Sequence, residues 1–226
     1  MNALKSTTVI VPCRDEAGAI GGVVSDLRAA GATRVIVVDN GSRDDTAEVA
    51  GRAGAQVLRE DRLGYGWACL AGVAAARDSD LVGFIDGDGS FAAEDLARLA
   101  EIVASGQADM ALGARTPRSA MARHQRLGNA LTLALLRLLY RLTVPDLMPL
   151  RVVRGDLLRA LDMRGSRYQW LVEMLCKATR RGARLSVVRV RYGPRRSGES
   201  KVTGSGRQSL LAGADFLRAL WTFRTW

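Results

Sequence analysis

Two carboxylates one residue apart, Asp86 and Asp88 in the run Phe84-Ile85-Asp86-Gly87-Asp88-Gly89, are the sharpest chemical feature of the chain. Just beyond a buried strand, side chains at i and i+2 can approach one hard divalent cation, one directly and the other through water. Mg²⁺ or Mn²⁺ held in this way completes its shell with diphosphate oxygens. The same letters also spell an ordinary turn. What favours chemistry is company: Pro12-Cys13-Arg14-Asp15-Glu16 and Asp39-Asn40-Gly41-Ser42 are two more polar clusters, each following a β-rich run. Asp39 could accept a hydrogen bond from a base N–H or a ribose hydroxyl, or cap the next helix from a turn. Asp15 and Glu16 could be ligands or a helix-entry pair. Gly64 and Gly66 could admit a nucleotide close to the backbone, and a turn explains them equally well.

The basic residues face this acidic set with complementary chemistry. Arg195-Arg196-Ser197-Gly198-Glu199-Ser200-Lys201 combines glycine, hydroxyls and cations as a loop that closes over a charged ligand would. Arg115, Arg118, Arg123 and Arg126 crowd a predicted loop and helix start. The net charge of +10 calls for a polyanionic partner. Nucleic acid is disfavoured, because aromatics are only 5% of the chain and none are interleaved with basic residues. Phosphates and anionic lipid surfaces remain. Three widely separated cysteines and one histidine exclude a structural zinc site and give no disulfide framework, so reduced thiols are expected.

These residues need elements to position them. Thr7–Pro12, Arg34–Asp39, Gln56–Leu58 and Leu81–Ile85 read as strands, and segments 19–30, 45–53 and 66–77 as helices between them. That alternation predicts a single α/β domain with an open, mostly parallel sheet, Rossmann-like in its winding. Ligands bind beyond the carboxyl ends of such strands, where all three polar clusters fall. Further on, Ala108–Leu112 and Leu185–Tyr192 read as strands, Asn129–Leu142 and Gln169–Thr179 as helices, and 209–226 as an amphipathic helix ending in tryptophan. No signal peptide is expected, and the longest charge-free run, Leu63–Ala76, is shorter than the roughly 20 residues that cross a bilayer. Peripheral contact through 129–142 and 209–226 is expected instead, with Arg137 and Arg141 reaching toward headgroups.

Taken in order, Val-Ile-Val-Pro-Cys-Arg-Asp-Glu, Val-Val-Asp-Asn-Gly-Ser-Arg-Asp-Asp-Thr, Gly-Tyr-Gly, Phe-Ile-Asp-Gly-Asp, Gly-Ala-Arg and Gly-Glu-Ser-Lys resemble family 2 glycosyltransferases, most of all the polyprenyl (dolichyl) phosphate mannosyl- and glucosyltransferases. The likeness runs from about Thr8 to Gly204. It implies a GT-A fold, a UDP- or GDP-sugar donor, a Mg²⁺ or Mn²⁺ cofactor and inversion at the anomeric carbon. It implies donor binding by Pro12, Asp15, Glu16, Asp39, Gly66 and Asp86, and metal binding by Asp86 and Asp88. Arg115, Arg123, Arg126, Arg151 and Ser200 would serve an acceptor phosphate, and Arg196 and Lys201 would close over the donor phosphates. Departures are Arg62 where the family usually has asparagine, Asp146-Leu147-Met148-Pro149-Leu150-Arg151 in place of Asp-x-x-x-Gly-Phe-Arg, and Gly89-Ser90 after the acidic motif.

On this reading residues 1–114 form a donor half, 115–208 an acceptor half and 209–226 a terminal helix, with the chain at the cytoplasmic face of a membrane. A lipid-phosphate acceptor needs no strong general base. A neutral hydroxyl would need one, with Asp146 the candidate and Glu173 a weaker one. A nucleotidyltransferase should carry a glycine-rich phosphate loop near its N-terminus, which Val9–Glu16 lacks, and a non-catalytic nucleotide- or lipid-binding module would not need two metal-spaced carboxylates.

Overall fold

A computed structural model describes residues 2–116, 123–198 and 222, leaving out the side chains of 123–129 and 131. After a short 3₁₀ turn, Ala3–Ser6, the order is β1 (Thr7–Cys13), α1 (Ala17–Ala29), β2 (Arg34–Asp39), α2 (Thr46–Arg52), β3 (Gln56–Arg59), α3 (Tyr65–Ala75), β4 (Leu81–Phe84) and α4 (Ala93–Ala104). There follow β5 (Met110–Thr116), α5 (Arg123–Tyr140), β6 (Arg151–Arg154), α6 (Gly155–Ala160), α7 (Gln169–Arg180) and β7 (Leu185–Arg191). The seven strands make one sheet in the order β3-β2-β1-β4-β6-β5-β7. Only β6 runs against its neighbours, β4 and β5.

Strand alternation sorts the core into two layers. Ile10, Ile36, Val38, Val82 and Phe84 face a cluster that includes Trp170, Met174 and Leu175 of α7. Val9, Val11, Val35, Val37 and Leu81 face the opposite cluster, with Ile20 and Leu27 of α1 and Leu96 and Leu99 of α4. All three cysteines, Cys13, Cys69 and Cys176, are buried and unbridged. Burial lifts the Cys69 thiol far above its ordinary range and that of Cys176 to about 12.

The boundaries differ from expectation where they matter most. β5 runs to Thr116, so Arg115 projects from a strand and not from a loop, and α5 takes in Arg123 and Arg126 from its first residue. The strand β6 and the helices α4 and α6 have no counterpart in the sequence reading. Pro12 lies in an interior strand, which is permissible for a specific reason. The Ile10 carbonyl accepts Ile85 N–H at 3.2 Å, so two residues later the missing Pro12 N–H faces the same neighbour. There the β1–β4 ladder has already ended, at Ile10 and Phe84. Chain winding reverses direction between β1 and β4, and in open α/β sheets the crevice that takes ligands lies beyond the carboxyl ends of the strands at such a point.

Asp109 ties the far edge together. Its carboxylate accepts from Arg184 Nη2 and the Arg184 amide, both at 2.9 Å, and from Arg154 Nη1 at 3.2 Å. The Arg184 hydrogen bonds hold its carboxyl down to about 2. A depressed carboxyl stabilises the fold above its unfolded value and loses that contribution as pH falls through the folded one. Asp109→Asn should therefore cost about 1 kcal/mol at pH 7 and progressively less as the pH falls from about 4 through about 2, read as the shift in urea midpoint across that range.

Candidate active site

The crevice collects the sequence clusters. Asp86 lies two residues past Phe84, the last residue of β4, and a Cβ on Gly87 would stand 2.8 Å from Cβ of Cys13, so only glycine lets the acidic turn pass the end of β1. Gly89, at φ +75°, supplies the left-handed residue that closes this turn. Asp88 is 7% exposed; its Oδ1 accepts the Ser90 amide at 2.9 Å and its Oδ2 the Nη1 of Arg195 at 2.7 Å. Burial first, then the neighbouring Asp88 charge, pushes the Asp86 carboxyl up to about 7, against the pull of Arg115, Arg195 and Arg151. A carboxyl raised by burial and a neighbouring acid is a fitting seat for a hard cation, whose charge favours the ionised form. Among the described residues no third carboxylate, histidine or cysteine completes a metal-holding group. Asp86 and Asp88 thus fit a cation that takes its remaining ligands from phosphate and water, as Mg²⁺ commonly does.

The loops after β1 and β2 are laced together. Asp15 N–H donates to Ser42 Oγ at 2.9 Å, Glu16 N–H to Thr46 Oγ1 at 2.8 Å, and Arg43 N–H to Asp15 Oδ1 at 2.7 Å. Asp15 sits at φ 49°, a conformation that aspartate tolerates better than most residues. Asp39 is buried, and its Oδ1 takes the Ser42 amide at 3.0 Å within the turn; it does not cap the next helix, because Asp45 stands at the N-cap of α2. Asn40 pins the next loop, donating to the Glu60 and Arg62 carbonyls and accepting the Gly64 amide, each at 2.8 Å. Arg62 pairs with Glu60 and lies over the Trp67 ring at 3.9 Å.

Gly66 needs its glycine for a different reason from the one expected. A Cβ there would collide with the carbonyl of Gly165, and the Trp67 amide donates to Ser166 O at 3.1 Å. The backbone that approaches α3 is therefore the chain's own 165–166 segment, which leaves Gly66 no demonstrated need to admit a nucleotide. Arg151 is likewise corrected. It is wholly buried on β6 and donates to the carbonyls of Met148 at 2.6 Å and Leu147 at 3.0 Å, so it braces the 146–148 loop and cannot touch an acceptor.

Arg115 and Asp146 form one unit: Nε and Nη2 each meet a carboxylate oxygen at 2.6 Å, and the guanidinium lies 5.4 Å from the centre of the Tyr192 ring. Hydrogen bonding to Arg115 holds the Asp146 carboxyl below its ordinary value although burial opposes it. The Arg115 charge pulls the Asp86 carboxyl down against its burial, so the pair lies within electrostatic reach of the acidic turn. Glu173 is fully buried, bonded to Lys177 Nζ at 2.7 Å and to the amides of Arg164 at 2.9 Å and Gly165 at 2.6 Å. Arg196 reaches Asp26 with its side chain, and its amide donates to Asp88 O at 2.9 Å. Arg195, whose guanidinium joins Asp88 to Glu16, is the residue that reaches the carboxylates. In the sequence, adjacent arginines offer no way to choose between them. Tyr192, packed on Phe91 with ring centres 5.1 Å apart, reads in the sequence only as the end of a strand. Ser200 and Lys201 lie outside the described residues, as do the side chains of Arg123 and Arg126.

The fold is that of GT-A glycosyltransferases. Glucosyl-3-phosphoglycerate synthase from Mycobacterium tuberculosis, solved with Mn²⁺, UDP-glucose and phosphoglyceric acid, superposes with a TM-score of 0.79 over 97% of this chain and 82% of its own, at 22% identity. Residues 8–156 match the family described as Glycosyl transferase family 2. The chain belongs to that family and is a glycosyltransferase. An uncharacterised glycosyltransferase of M. tuberculosis is 40% identical over 219 residues, spanning 95% of this chain and 98% of that protein. The dolichyl-phosphate hexose transferase of Haloferax volcanii is 32% identical over 86% of this chain and 85% of its own length. The undecaprenyl-phosphate mannosyltransferase of Micrococcus luteus is 30% identical over 86% of each.

Proposed function

We propose that this enzyme transfers a hexose, with inversion, from UDP-glucose or GDP-mannose to a polyprenyl phosphate at the cytoplasmic face of a membrane. The observation that carries the acceptor is the commitment of both candidate bases. Asp146 is locked in a bidentate pair with Arg115, and Glu173 is spent on Lys177 and two amides. A hydroxyl acceptor must lose a proton to some such group, whereas a phosphate oxygen is already anionic. The names of the Haloferax and Micrococcus relatives point the same way.

In this reading Asp86 and Asp88 hold Mg²⁺ or Mn²⁺, which when bound offsets the charge gathering on the departing nucleoside diphosphate. Pro12, Asp15, Glu16 and Asp39 line the nucleotide end of the crevice. Arg115 orients the acceptor phosphate beside the anomeric carbon, with Arg123, Arg126 and Ser200 assigned to the same anion. Lys201 is assigned to closure over the donor, and Arg196, expected in the same role, is held by Asp26 and carries the segment on which Arg195 reaches the crevice. Residues 1–114 and 115–208 divide the donor and acceptor work, and 209–226 with α5 would meet the lipid. On α5, Thr132, Leu136 and Tyr140 are buried at four-residue spacing, while Arg137 and Leu138 are exposed on the outer side, with Leu138 at 75%. No helix among the described residues is long and apolar enough to cross a membrane.

Labelled UDP-glucose and GDP-mannose, each with Mn²⁺, should be tested on vesicles carrying either undecaprenyl phosphate or undecaprenol. Transfer to the phosphate alone is the expected result, and Arg115→Lys should lower it by about a hundredfold, because an ammonium cannot reproduce the planar fork. Equal transfer to the alcohol would overturn the acceptor assignment.

A further inference from the structure

We infer that Arg195 competes with the divalent cation for Asp88, so that cation binding is an exchange in which the guanidinium is displaced and then made available to the donor diphosphate. This rests on the metal reading of Asp86 and Asp88 and goes beyond it by giving the chain its own internal competitor. Both oxygens of Asp88 are engaged: Oδ1 by the Ser90 amide and Oδ2 by Arg195 Nη1 at 2.7 Å. The Ser90 contact is local backbone in the same turn. A cation brought to Asp88 Oδ2 would meet the guanidinium that already neutralises that oxygen, and the two positive charges oppose each other there. The same guanidinium also pairs with Glu16, which is 6% exposed, so one planar fork neutralises two buried carboxylates at once.

The segment has a second anchorage that does not involve those carboxylates. Gly18, Gly22 and Asp26 fall four residues apart along α1 and present one stripe to it. A Cβ at Gly18 would stand 2.7 Å from Ser197 Oγ, and one at Gly22 would strike the Arg196 guanidinium. Across the gap, a Cβ on Gly89 would stand 2.6 Å from Arg196 Cδ. Arg196 itself pairs with Asp26 and donates its amide to Asp88 O. Side-chain-free positions on both walls thus seat 195–197 closely enough to hold Arg195 over Asp88. Once displaced, Arg195 stays tethered at the crevice, where a diphosphate offers it the same bidentate geometry that Asp88 and Glu16 gave up. Metal and donor should then bind with positive coupling, and the coupling must be reciprocal.

Mn²⁺ binding without nucleotide, followed by the electron paramagnetic resonance signal of the free ion, tests the exchange. Arg195→Gln should tighten Mn²⁺ binding by about tenfold, and the charge-preserving Arg195→Lys by about threefold, since it keeps the cation but loses the fork. Asp26→Asn, which loosens the second anchorage without touching the crevice, should tighten it about twofold to threefold. Added UDP should strengthen Mn²⁺ binding more in the wild type than in Arg195→Gln. Unchanged or weaker Mn²⁺ binding in Arg195→Gln, with Asp26→Asn also unchanged, would overturn the inference while leaving the metal site standing. If Asp88→Asn binds Mn²⁺ as well as the wild type does, the metal reading itself fails, which is a separate result.

Discussion

Asp88→Asn is expected to lower kcat/KM for sugar transfer by a thousandfold or more, equivalent to about 4 kcal/mol of transition-state stabilisation. The magnitude follows from what the carboxylate is placed to do. It stands at the end of β4 in a crevice with one other seat for a hard cation, Asp86, and among the described residues no further acidic group completes the set. Losing one of two anionic ligands leaves the departing diphosphate with much of its charge uncompensated. The amide keeps the size of the side chain and can still accept the Ser90 N–H through its carbonyl oxygen. Folding should therefore hold while transfer fails, and the thermal stabilisation given by Mn²⁺ with UDP or GDP should vanish. A melting midpoint unchanged from wild type without ligands, combined with full activity, would remove Asp88 from the mechanism.

The second large effect is on stability and comes from a pair far inside α7. Glu173 and Lys177 are both fully buried at i and i+4, 2.7 Å apart. Glu173 also accepts the amides of Arg164 and Gly165, and Lys177 donates to the Asp162 carbonyl at 2.6 Å. Glu173→Ala strips the counter-charge from a buried ammonium and orphans two amides, so a loss of about 3–5 kcal/mol is expected in urea unfolding. The pair itself need not be net stabilising: the double replacement Glu173→Leu with Lys177→Met should recover a good part of the loss. It should not recover everything, because the 162–166 segment is what Glu173 holds against α3.

The donor half of the fold up to the acidic turn is legible because its signals are local, while α4, beyond that turn, is missed. Unbroken apolar runs such as Val35–Val38 mark strands buried on both faces, and glycine or polar clusters mark each strand end. Topology alone places the acidic turn and the loops at Asp15 and Asp39 on one sheet edge. Past Leu112 the signals become non-local. β6 has only four residues, reads Arg-Val-Val-Arg, and becomes a strand because β4 and β5 flank it. Arg151 therefore looks in the sequence like a cation awaiting an anion, when its partners are carbonyls brought close by the fold. Gly66 misleads for the same reason, since nothing in its neighbourhood announces that residues a hundred positions away will press on it. The choice between Arg195 and Arg196 depends on which faces the crevice, and an extended pair of identical residues does not encode that for a reader.

The three buried thiols make the chain a clock of its own opening. With Cys13 at the end of β1, Cys69 inside α3 and Cys176 inside α7, a water-borne thiol reagent meets a target only when a particular layer separates. Labelling followed by peptide mass analysis would time three regions of one molecule independently, with no residue replaced. When reclosing outpaces modification, each rate reports the free energy of the local opening that exposes that sulfur. The crevice end of the sheet and the interior of α7 can thus be compared on one scale, in the same tube, with and without nucleotide.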